Sequence, residues 1–360
     1  MRTTHNCQII ILAITENIPM YLTVTPNPCI DKTIYIPRFK PGDRVRSNKY
    51  TQISGGKGNN VARILVSLGF RAAAILWVGG YTGKQVVKML REDDKVKCFP
   101  VWTHIPTRTI TTVLEEELGQ QTAFFEPGPK ISEQEYNNLI ERFKKILQTY
   151  SVPVATFSGT VPDPNVASLY KVLIDIANKQ RSITILDSYG NEFSEGIRSN
   201  PFMVKPNVEE LSKFLRTDLL DKKSRIDAVQ FIKQKYKIPL VVLSMGAEGA
   251  FVSYENIFLH FVPPRIKEIN PIGSGDALVA GFAVGLSKKF SIYDTGRLGV
   301  ALGTANAMMW DIGKFDIKDL LAIYEQVKVY TINPMNNQKV QYKEHTPLQL
   351  LLPGLAYSSQ

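Results

Sequence analysis

Residues 270–282 read NPIGSGDALVAGF, a glycine-containing turn followed by a run of small and apolar residues. Gly273 and Gly275 flank Ser274 directly before the acid Asp276. Glycine tolerates backbone angles that other residues avoid, so such a turn can aim successive backbone N–H groups at one point. The apolar run predicts a buried helix that begins here, where free N–H groups and the helix dipole favour an anion. The stretch therefore predicts an anion hole beside the carboxylate of Asp276.

One face of the predicted helix, which we call its thin side, carries only small side chains. This face would let the helix lie close to neighbouring backbone and hold Asp276 firmly. A carboxylate held beside an anion hole can accept the proton of an attacking hydroxyl while the hole takes up charge on a transferred phosphoryl group. An Asp at a helix start can equally be a cap or a favourable charge, and these residues alone leave both interpretations open. The small residues on the thin side are Ala277, Ala280, Gly281, Ala283 and Gly285.

This stretch resembles the C-terminal signature of the PfkB (ribokinase-like) carbohydrate kinases, which reads N, P, hydrophobic, G, A or S, G, D. The resemblance implies that Asp276 is the catalytic base and that Gly273, Ser274 and Gly275 form the anion hole. It also implies an α/β fold with a ribokinase-like, doubly wound, mostly parallel sheet flanked by helices, and a small β-sheet lid. The alternation of strand-like and helix-like segments after residue 132 favours the same parallel arrangement.

Composition is ordinary for a globular protein: 360 residues, 44% hydrophobic and 21% charged. The formal charge of +10 favours anionic partners, but Lys and Arg are spread along the chain without a block. We therefore expect a phosphorylated sugar and a nucleotide as ligands, with no nucleic acid and no membrane. Cys7, Cys29 and Cys98 form no CxxC pair, which predicts a reducing compartment, the cytoplasm, and no structural zinc. Residues 9–14 are apolar but too few to span a membrane.

Two early motifs resemble the sugar side of the family. TPNPCID at residues 25–31 follows a predicted strand, and by itself Asp31 is an Asp in a turn; the resemblance implies that it hydrogen-bonds sugar hydroxyls. SGGKGNNVARILVSLGF at residues 54–70 is a glycine loop before a helix, and it is not a Walker loop because GxxxxGK followed by Ser or Thr is absent. The resemblance implies that this loop contacts the sugar or its phosphate through Gly55, Gly56, Lys57 and Asn60.

Short strands broken by Pro and Gly predict the lid, from about residues 32–53 and 97–126. Arg108 lies in a TR pair that the resemblance assigns to the substrate phosphate, although by itself it is an ordinary charge on a strand. Ser158 and Gly159 match the family's SG pair near the substrate. Relatives often dimerise through the lid, so a homodimer is possible here.

Later motifs resemble the nucleotide side, which implies ATP and Mg²⁺ as cofactors. KPNVEEL at residues 205–211 contains an NxxE spacing at a helix start, which also fits a capping box. In the family this motif orders Mg²⁺ and phosphate through water. SMGAEGA at residues 244–250 resembles the nucleotide loop, and the helical run 298–310 resembles the adenine-side helix. The implied cofactor-binding residues are Lys205, Asn207, Glu210, Ser244, Gly246, Gly249 and Asn306, with Asn207 and Glu210 holding the metal through water.

The resemblance divides the chain into an extension at 1–19, a kinase domain at 20–330 and a C-terminal tail at 331–360 that matches no motif. Because the first strand begins at Met20, we expect deletion of residues 1–19 to leave folding and activity intact. Substrate-side motifs come early and nucleotide-side motifs late, in the family's order, which a chance match does not easily explain.

The sequence therefore predicts transfer of the γ-phosphoryl group of ATP to a hydroxyl of a phosphorylated ketohexose. Within the family the motifs are most similar to members acting on fructose 1-phosphate, with tagatose 6-phosphate and fructose 6-phosphate as alternatives that the sequence does not separate. A nicotinamide-dependent dehydrogenase fits less well, since GSGDAL breaks the GxGxxG pattern at Leu278 and lies late in the chain. A non-catalytic sugar sensor fits less well because Asp276 and both flanking glycines are present.

Overall fold

A computed structural model describes residues 18–333 and 338–354. Residues 1–17, which carry most of the predicted extension, lie outside the described residues. None of the helices in the described ranges is long and apolar enough to cross a membrane. The strands are β1 Tyr21–Thr25, β2 Cys29–Ile36, β3 Lys49–Gly55, β4 Ala72–Gly79, β5 Lys97–Thr103, β6 Thr109–Glu115, β7 Gln120–Phe125, β8 Val154–Ser158, β9 Ile183–Asp187, β10 Met203–Val204, β11 Leu240–Ser244, β12 Ala250–Tyr254, β13 Ile257–Val262, β14 Lys328–Ile332 and β15 Lys339–Tyr342. The α-helices are α1 Lys57–Ser67, α2 Gly80–Glu92, α3 Glu133–Thr149, α4 Leu169–Lys179, α5 Gly190–Gly196, α6 Val208–Leu215, α7 Lys222–Tyr236, α8 Ser274–Ser287, α9 Ile292–Ala307, α10 Ile317–Gln326 and α11 Leu348–Leu351.

The larger sheet has the strand order β15-β14-β13-β12-β11-β10-β9-β8-β1-β4-β5. Strands from β11 to β5 run parallel, and β12 to β15 add an antiparallel edge. The chain leaves β1 towards β4 and β5 on one side, and later fills the other side with β8 to β11. In such a sheet, ligands bind beyond the carboxyl ends of the strands where the order reverses. The predicted doubly wound, mostly parallel sheet is confirmed.

Strand β4 shows why this sheet is covered on both faces. Its sequence AAAILWVG is apolar throughout and buried at every position, as expected of a parallel strand between two helix layers. Alternate side chains point to opposite faces. Leu76 belongs to the core cluster that includes residues of α1, α2, α8, α9 and α10, while Trp77 belongs to the cluster that includes residues of α3, α4 and α7.

Helix α8 lies against α9 with backbone nearly touching backbone. A Cβ on Gly281 would lie 2.5 Å from the Cα of Gly299, and a Cβ on Gly285 would lie 2.5 Å from Oγ1 of Thr295. Every residue of α8 from Asp276 to Gly285 is buried. The thin side expected from the sequence therefore exists, and it fixes the start of α8 in the core.

The lid is a separate four-stranded sheet in the order β3-β2-β6-β7. Its predicted second segment, 97–126, differs from the structure. β5 pairs in parallel with β4, from Ala73↔Lys97 to Gly79↔Thr103, so residues 97–103 belong to the main sheet. A half-exposed alternating strand has the same local pattern at the edge of either sheet. Its long-range pairing, which the sequence does not display, decides the assignment.

The predicted tail is partly built into the fold. β15 pairs antiparallel with β14, and the sheet thereby gains a final strand from residues 339–342. Leu348 of α11 is buried in the main core. The kinase domain therefore does not end near residue 330, and its antiparallel edge includes tail residues.

Candidate active site

A cavity of about 1000 Å³ lies between the lid and the carboxyl ends of the parallel strands. Gly55, Glu210 and Asn306, although predicted for this site, do not line it; a Cβ on Gly55 would lie 2.5 Å from Sγ of Cys29, so this glycine serves close packing. The structure brings the other predicted residues together on the cavity wall: Asp31, Gly56, Lys57, Asn60, Arg108, Ser158, Gly159, Lys205, Asn207, Ser244, Gly246, Gly249, Gly273, Ser274, Gly275 and Asp276.

Residues of α9 and of the segment that follows it support the turn before α8. Gly273 has φ 84°, in the left-handed region that favours glycine, and a Cβ there would lie 2.5 Å from Cγ2 of Ile312. Asn306 donates from Nδ2 to the Ile272 carbonyl at 2.9 Å, and its Oδ1 accepts the Gly313 N–H at 2.8 Å. Asn306 therefore braces the turn and does not face the nucleotide space as the resemblance implied. The first N–H groups of α8, which have no partner within the helix, begin at the cavity wall.

Asp276 is buried, with 5% of its surface exposed, and its Oδ2 accepts a hydrogen bond from Nδ2 of Asn60 at 2.8 Å. Helix α8 has no side-chain cap, so the capping interpretation of Asp276 is wrong. Burial and, next, the charge of Asp187 raise the pKa of Asp276 to about 7, while Lys57, Asn60 and Lys205 oppose the rise. A carboxyl group with this pKa can gain and lose a proton near neutral pH, as a general base must.

Three charged side chains meet beside this carboxyl group. The Oδ1 atom of Asp187 lies 3.1 Å from Nζ of Lys205 and 3.6 Å from Nζ of Lys57. Lys205 and Asp187 are both buried, at 3% and 0% side-chain exposure. Burial alone would lower the pKa of Lys57, but the carboxylates of Asp187, Glu210 and Asp276 raise it. The side-chain nitrogens of Lys57 and Lys205 therefore both lie beside Asp187, next to the start of α8.

Sequence reasoning did not select Asp187. It ends the buried strand β9, ITILD, and an acid at the carboxyl end of a parallel strand was the available signal. No described group hydrogen-bonds either of its carboxylate oxygens. Its two neighbouring ammonium groups therefore compensate its buried charge.

A second set of residues missed by sequence reasoning orients Asn60. Arg63 donates from Nη1 to Oδ1 of Asn60 at 2.9 Å, which leaves the Asn60 amide nitrogen to face Asp276. Arg63 is itself held by Asp94, with Nε 2.7 Å from Oδ1, and by the Ser54 carbonyl. The chain from Asp94 to Asp276 fixes the direction of the hydrogen bond that the carboxyl group receives.

The NxxE motif forms a capping box. Oδ1 of Asn207 accepts the Glu210 N–H at 2.8 Å, and Oε2 of Glu210 accepts the Asn207 N–H at 2.9 Å. The other carboxylate oxygen, Oε1 of Glu210, lies 3.4 Å from Nζ of Lys57. The two oxygens in the capping box therefore hold the start of α6, and the water-mediated metal contact that the resemblance implied stays a prediction.

Several buried polar atoms of residues on the cavity wall have no partner among the described groups. Arg108 donates weakly from Nη2 to the Asn27 carbonyl at 3.4 Å, and its buried Nε has no partner among described groups. The same holds for Oδ1 of Asn27 and Oγ of Ser158. Burial raises the pKa of Asp31, with Arg63 opposing. Buried groups left unpaired in the free protein favour a polar ligand that pairs them.

The opposite end of the cavity is more apolar. The turn Gly246–Glu248 follows β11, and side chains from the segment after β13 and from α9 complete the wall. A few polar groups with an apolar wall beside them are typical of a small-molecule site. The apolar wall, suited to the face of a base, includes Ile266, Pro264, Val300 and Ala307.

Comparisons with known proteins agree with this arrangement. The profile described as pfkB family carbohydrate kinase matches residues 24–308. A tagatose-6-phosphate kinase of Staphylococcus epidermidis is 31% identical over 319 residues, covering 87% of this chain and 100% of that protein. Phosphofructokinase-2 of Escherichia coli, solved in complex with potassium, superposes with a TM-score of 0.80 at 30% identity, covering 85% of this chain and 98% of that one. A possible 1-phosphofructokinase of Thermotoga maritima has the same fold, with a TM-score of 0.78 at 24% identity, covering 87% of this chain and 100% of that one.

The family match covers the lid, the turn before α8 and the main sheet apart from β14 and β15. Since the family model spans most of the chain and the relatives are covered almost completely, neither a dehydrogenase nor a non-catalytic sensor is required to explain the site. The chain belongs to the pfkB family of carbohydrate kinases, and it is a sugar-phosphate kinase of that family.

Proposed function

We propose that this kinase transfers the γ-phosphoryl group of ATP to a hydroxyl of a phosphorylated ketohexose, with fructose 1-phosphate as the first candidate. The observation that carries the proposal is the buried carboxyl group of Asp276, raised in pKa to about 7 and placed at the first turn of α8. It lies between the lid, with its unpaired polar groups, and the apolar end of the cavity.

In the proposed reaction, Asp276 accepts the proton of the sugar hydroxyl as the hydroxyl oxygen attacks the γ-phosphorus of ATP. The bond from that phosphorus to the β,γ-bridging oxygen breaks, and ADP leaves. The N–H groups at the start of α8 and the ammonium group of Lys205 stabilise negative charge on the transferred phosphoryl group. Asn60 directs the carboxylate through its hydrogen bond to Oδ2. The lid excludes water from the transfer, which strengthens these electrostatic contacts.

Mg²⁺ would be held through water by Asn207 and Glu210, whose oxygens are already engaged in the capping box. When bound, the ion would neutralise charge on the ATP phosphates.

A phosphate already on the sugar explains the cations near the lid. Lys57 and Arg108 line the cavity on the same side as Asp31. Lys57 already has Asp187 and Glu210 as anionic neighbours, but an unphosphorylated sugar would leave Arg108 without an anionic partner among the described residues. Tagatose 6-phosphate is the second candidate because a tagatose-6-phosphate kinase is 31% identical to this chain over that kinase's whole length.

The test is a substrate panel with Mg-ATP, comprising fructose 1-phosphate, fructose 6-phosphate, tagatose 6-phosphate and free fructose. We expect kcat/KM to be highest for fructose 1-phosphate and at least about tenfold lower for free fructose, since the phosphate contacts are each worth about 1.5–3 kcal/mol. A preference for tagatose 6-phosphate or fructose 6-phosphate would replace the first candidate. A preference for free fructose would refute the sugar-phosphate assignment.

Arg108→Ala should raise KM for the preferred sugar phosphate about tenfold or more, because it removes a charge-assisted contact. KM for ATP should stay within about twofold, since Arg108 lies at the lid end of the cavity. Arg38→Ala is the matched control, because Arg38 is an exposed arginine near the lid that does not line the cavity. Initial-rate kinetics with each substrate varied in turn measure both constants. A rise confined to ATP would place Arg108 at the wrong end of the site.

Homodimerisation through the lid and a cytoplasmic location stay predictions. Two large side chains exposed on the lid, Tyr50 and Phe124, support the dimer, since no second layer covers them in the described part of the chain. One Escherichia coli phosphofructokinase-2 structure is described as a tetrameric inhibited form.

A further inference from the structure

A second cavity, of about 740 Å³, lies behind the nucleotide end of the first. We call it the tail cavity, because residues 341–345 form one of its walls. The end of β13, helix α9 and the end of α10 form the others. Its charged side chains are Arg265, Arg297, Glu325, Lys328 and Lys343, and His345 also lines it.

Arg297 is the unusual member of this set. Only 3% of its surface is exposed, and its guanidinium group donates from Nη1 to the carbonyl oxygen of Val327. Its buried Nε has no hydrogen-bond partner, and no carboxylate in the described ranges forms an ion pair with it. The charges of Asp294 and Glu325 favour the charged guanidinium group from beyond ion-pair distance, and its central carbon lies 5.8 Å from the centroid of the Tyr324 ring. A guanidinium group has five donors, and at least its Nε is left without a partner among the described groups.

The surroundings increase this positive charge. Arg265, Lys328 and Lys343 are exposed at the rim of the tail cavity. Glu325 is the acid on the wall, and its carboxylate pairs with His345. Four basic side chains, Arg297 and the three at the rim, thus outnumber the single carboxylate.

The tail cavity also has an aromatic side. Tyr342 lines it and stacks on Tyr293, with ring centroids 3.9 Å apart and planes inclined by 20°. The stacking keeps the Tyr342 ring fixed, so an organic group next to the bound anion would meet a rigid apolar surface.

We propose that the tail cavity binds a small organic phosphate as an effector. A guanidinium fork surrounded by ammonium groups is the arrangement that recognises phosphate oxygens, and the volume is in the range of small-molecule sites. Ala247, Pro263, Pro264 and Arg265 line both cavities, so occupancy of the tail cavity acts on the wall of the nucleotide end. That coupling rests on the proposed function, whereas binding itself does not.

Part of the cavity wall lies after the segment that the family profile matches. Lys328, Tyr342, Lys343 and His345 follow the segment 24–308 that matches the family. The cavity is thus completed by the strands β14 and β15 and the residues directly after them.

Isothermal titration of the full chain with AMP, pyrophosphate and inorganic phosphate tests the proposal. AMP should bind at two classes of site, the main cavity and the tail cavity. The variant Lys328→Gln/Lys343→Gln should weaken one class about tenfold and leave the other unchanged. Lys130→Gln/Lys179→Gln removes the same charge from two exposed lysines that line neither cavity, and it should keep both classes. Arg297→Lys retains the positive charge but loses the fork, and should weaken the same class as the first variant.

Binding that is equal in the two double variants would overturn the proposal, as would inorganic phosphate binding in the tail cavity as tightly as AMP. Binding of AMP to the unaltered chain only at the class of site that Lys328→Gln/Lys343→Gln weakens is a separate outcome. That result would count against the nucleotide site of the proposed function and not against the tail cavity. In kinetic assays, the change that AMP causes in KM for ATP should be about fivefold or more larger in the unaltered chain than in Lys328→Gln/Lys343→Gln. An equal effect in both proteins would overturn the coupling.

Discussion

Asp276→Asn should lower turnover by about 10²- to 10⁴-fold, the contribution of a positioned general base, with little change in KM for either substrate. Asn has nearly the same shape as Asp, and its carbonyl oxygen can still accept the hydrogen bond from Asn60. It cannot accept the proton of a hydroxyl. Steady-state kinetics on the purified variant measure the loss, and a fully active variant would remove the proposed base.

The matched control is Asp316→Asn. Asp316 is a true helix cap, since its side chain accepts the N–H groups of Lys318 and Asp319 at the start of α10. Asn caps about as well as Asp, so turnover and melting temperature should both stay close to those of the unaltered protein. A loss of turnover in both variants would indicate a general effect of the substitution.

The pH dependence gives an independent check on the same carboxyl group. Since Asp276 must be ionised to act as a base, kcat/KM should fall about tenfold per pH unit as pH drops below about 7. The residual activity of Asp276→Asn should lack this titration.

The effect on stability has the opposite direction. The folded-state pKa of Asp276, about 7, lies above the ordinary value of 3.8, so its contribution to stability is present below about 4 and is lost as pH rises through about 7. Asn, which never ionises, should therefore melt at the same temperature as the unaltered protein or higher at pH 8. Melting curves at pH 5 and pH 8 test this difference.

Much of the site follows from local sequence. The glycines before α8, the small residues on its thin side and the NxxE capping box all act within one turn or one helix. Their roles can be inferred from a few consecutive residues because a helix start needs specific side chains and backbone angles. Most residues selected in this way line one cavity.

The remaining features depend on distant pairing. Asp187 reaches Lys57 and Lys205 only because β9 lies beside β8 and β10 in the sheet. Arg63 orients Asn60 because Asp94, thirty-one residues away, holds its guanidinium group. Neither neighbour could be inferred from spacing along the chain. For the same reason residues 97–103 were predicted to belong to the lid, and the tail residues could not be assigned to the main sheet from the sequence.

Lys205→Met should lower the free energy of unfolding by about 3–5 kcal/mol, because removing one partner of a buried ion pair leaves the other charge uncompensated. Asp187 would then retain only Nζ of Lys57, at 3.6 Å. Asp187→Asn should destabilise the protein similarly, since it leaves the buried ammonium group of Lys205 without its carboxylate partner. Unfolding in denaturant measures both losses.

The double variant Asp187→Asn/Lys205→Met separates support of the fold from proposed contact with phosphate. Replacing both members of a buried pair is often nearly neutral, so most of the lost stability should return. Activity should not return, because Nζ of Lys205 lies 3.5 Å from the position a Cβ on Gly275 would take, next to the proposed anion hole. We expect kcat/KM for ATP to stay at least about tenfold below normal, the value of one lost charge-assisted contact. A double variant that regains both stability and activity would show that Lys205 only neutralises Asp187, and the charge on the transferred phosphoryl group would then have to be met by Lys57 and the first turn of α8.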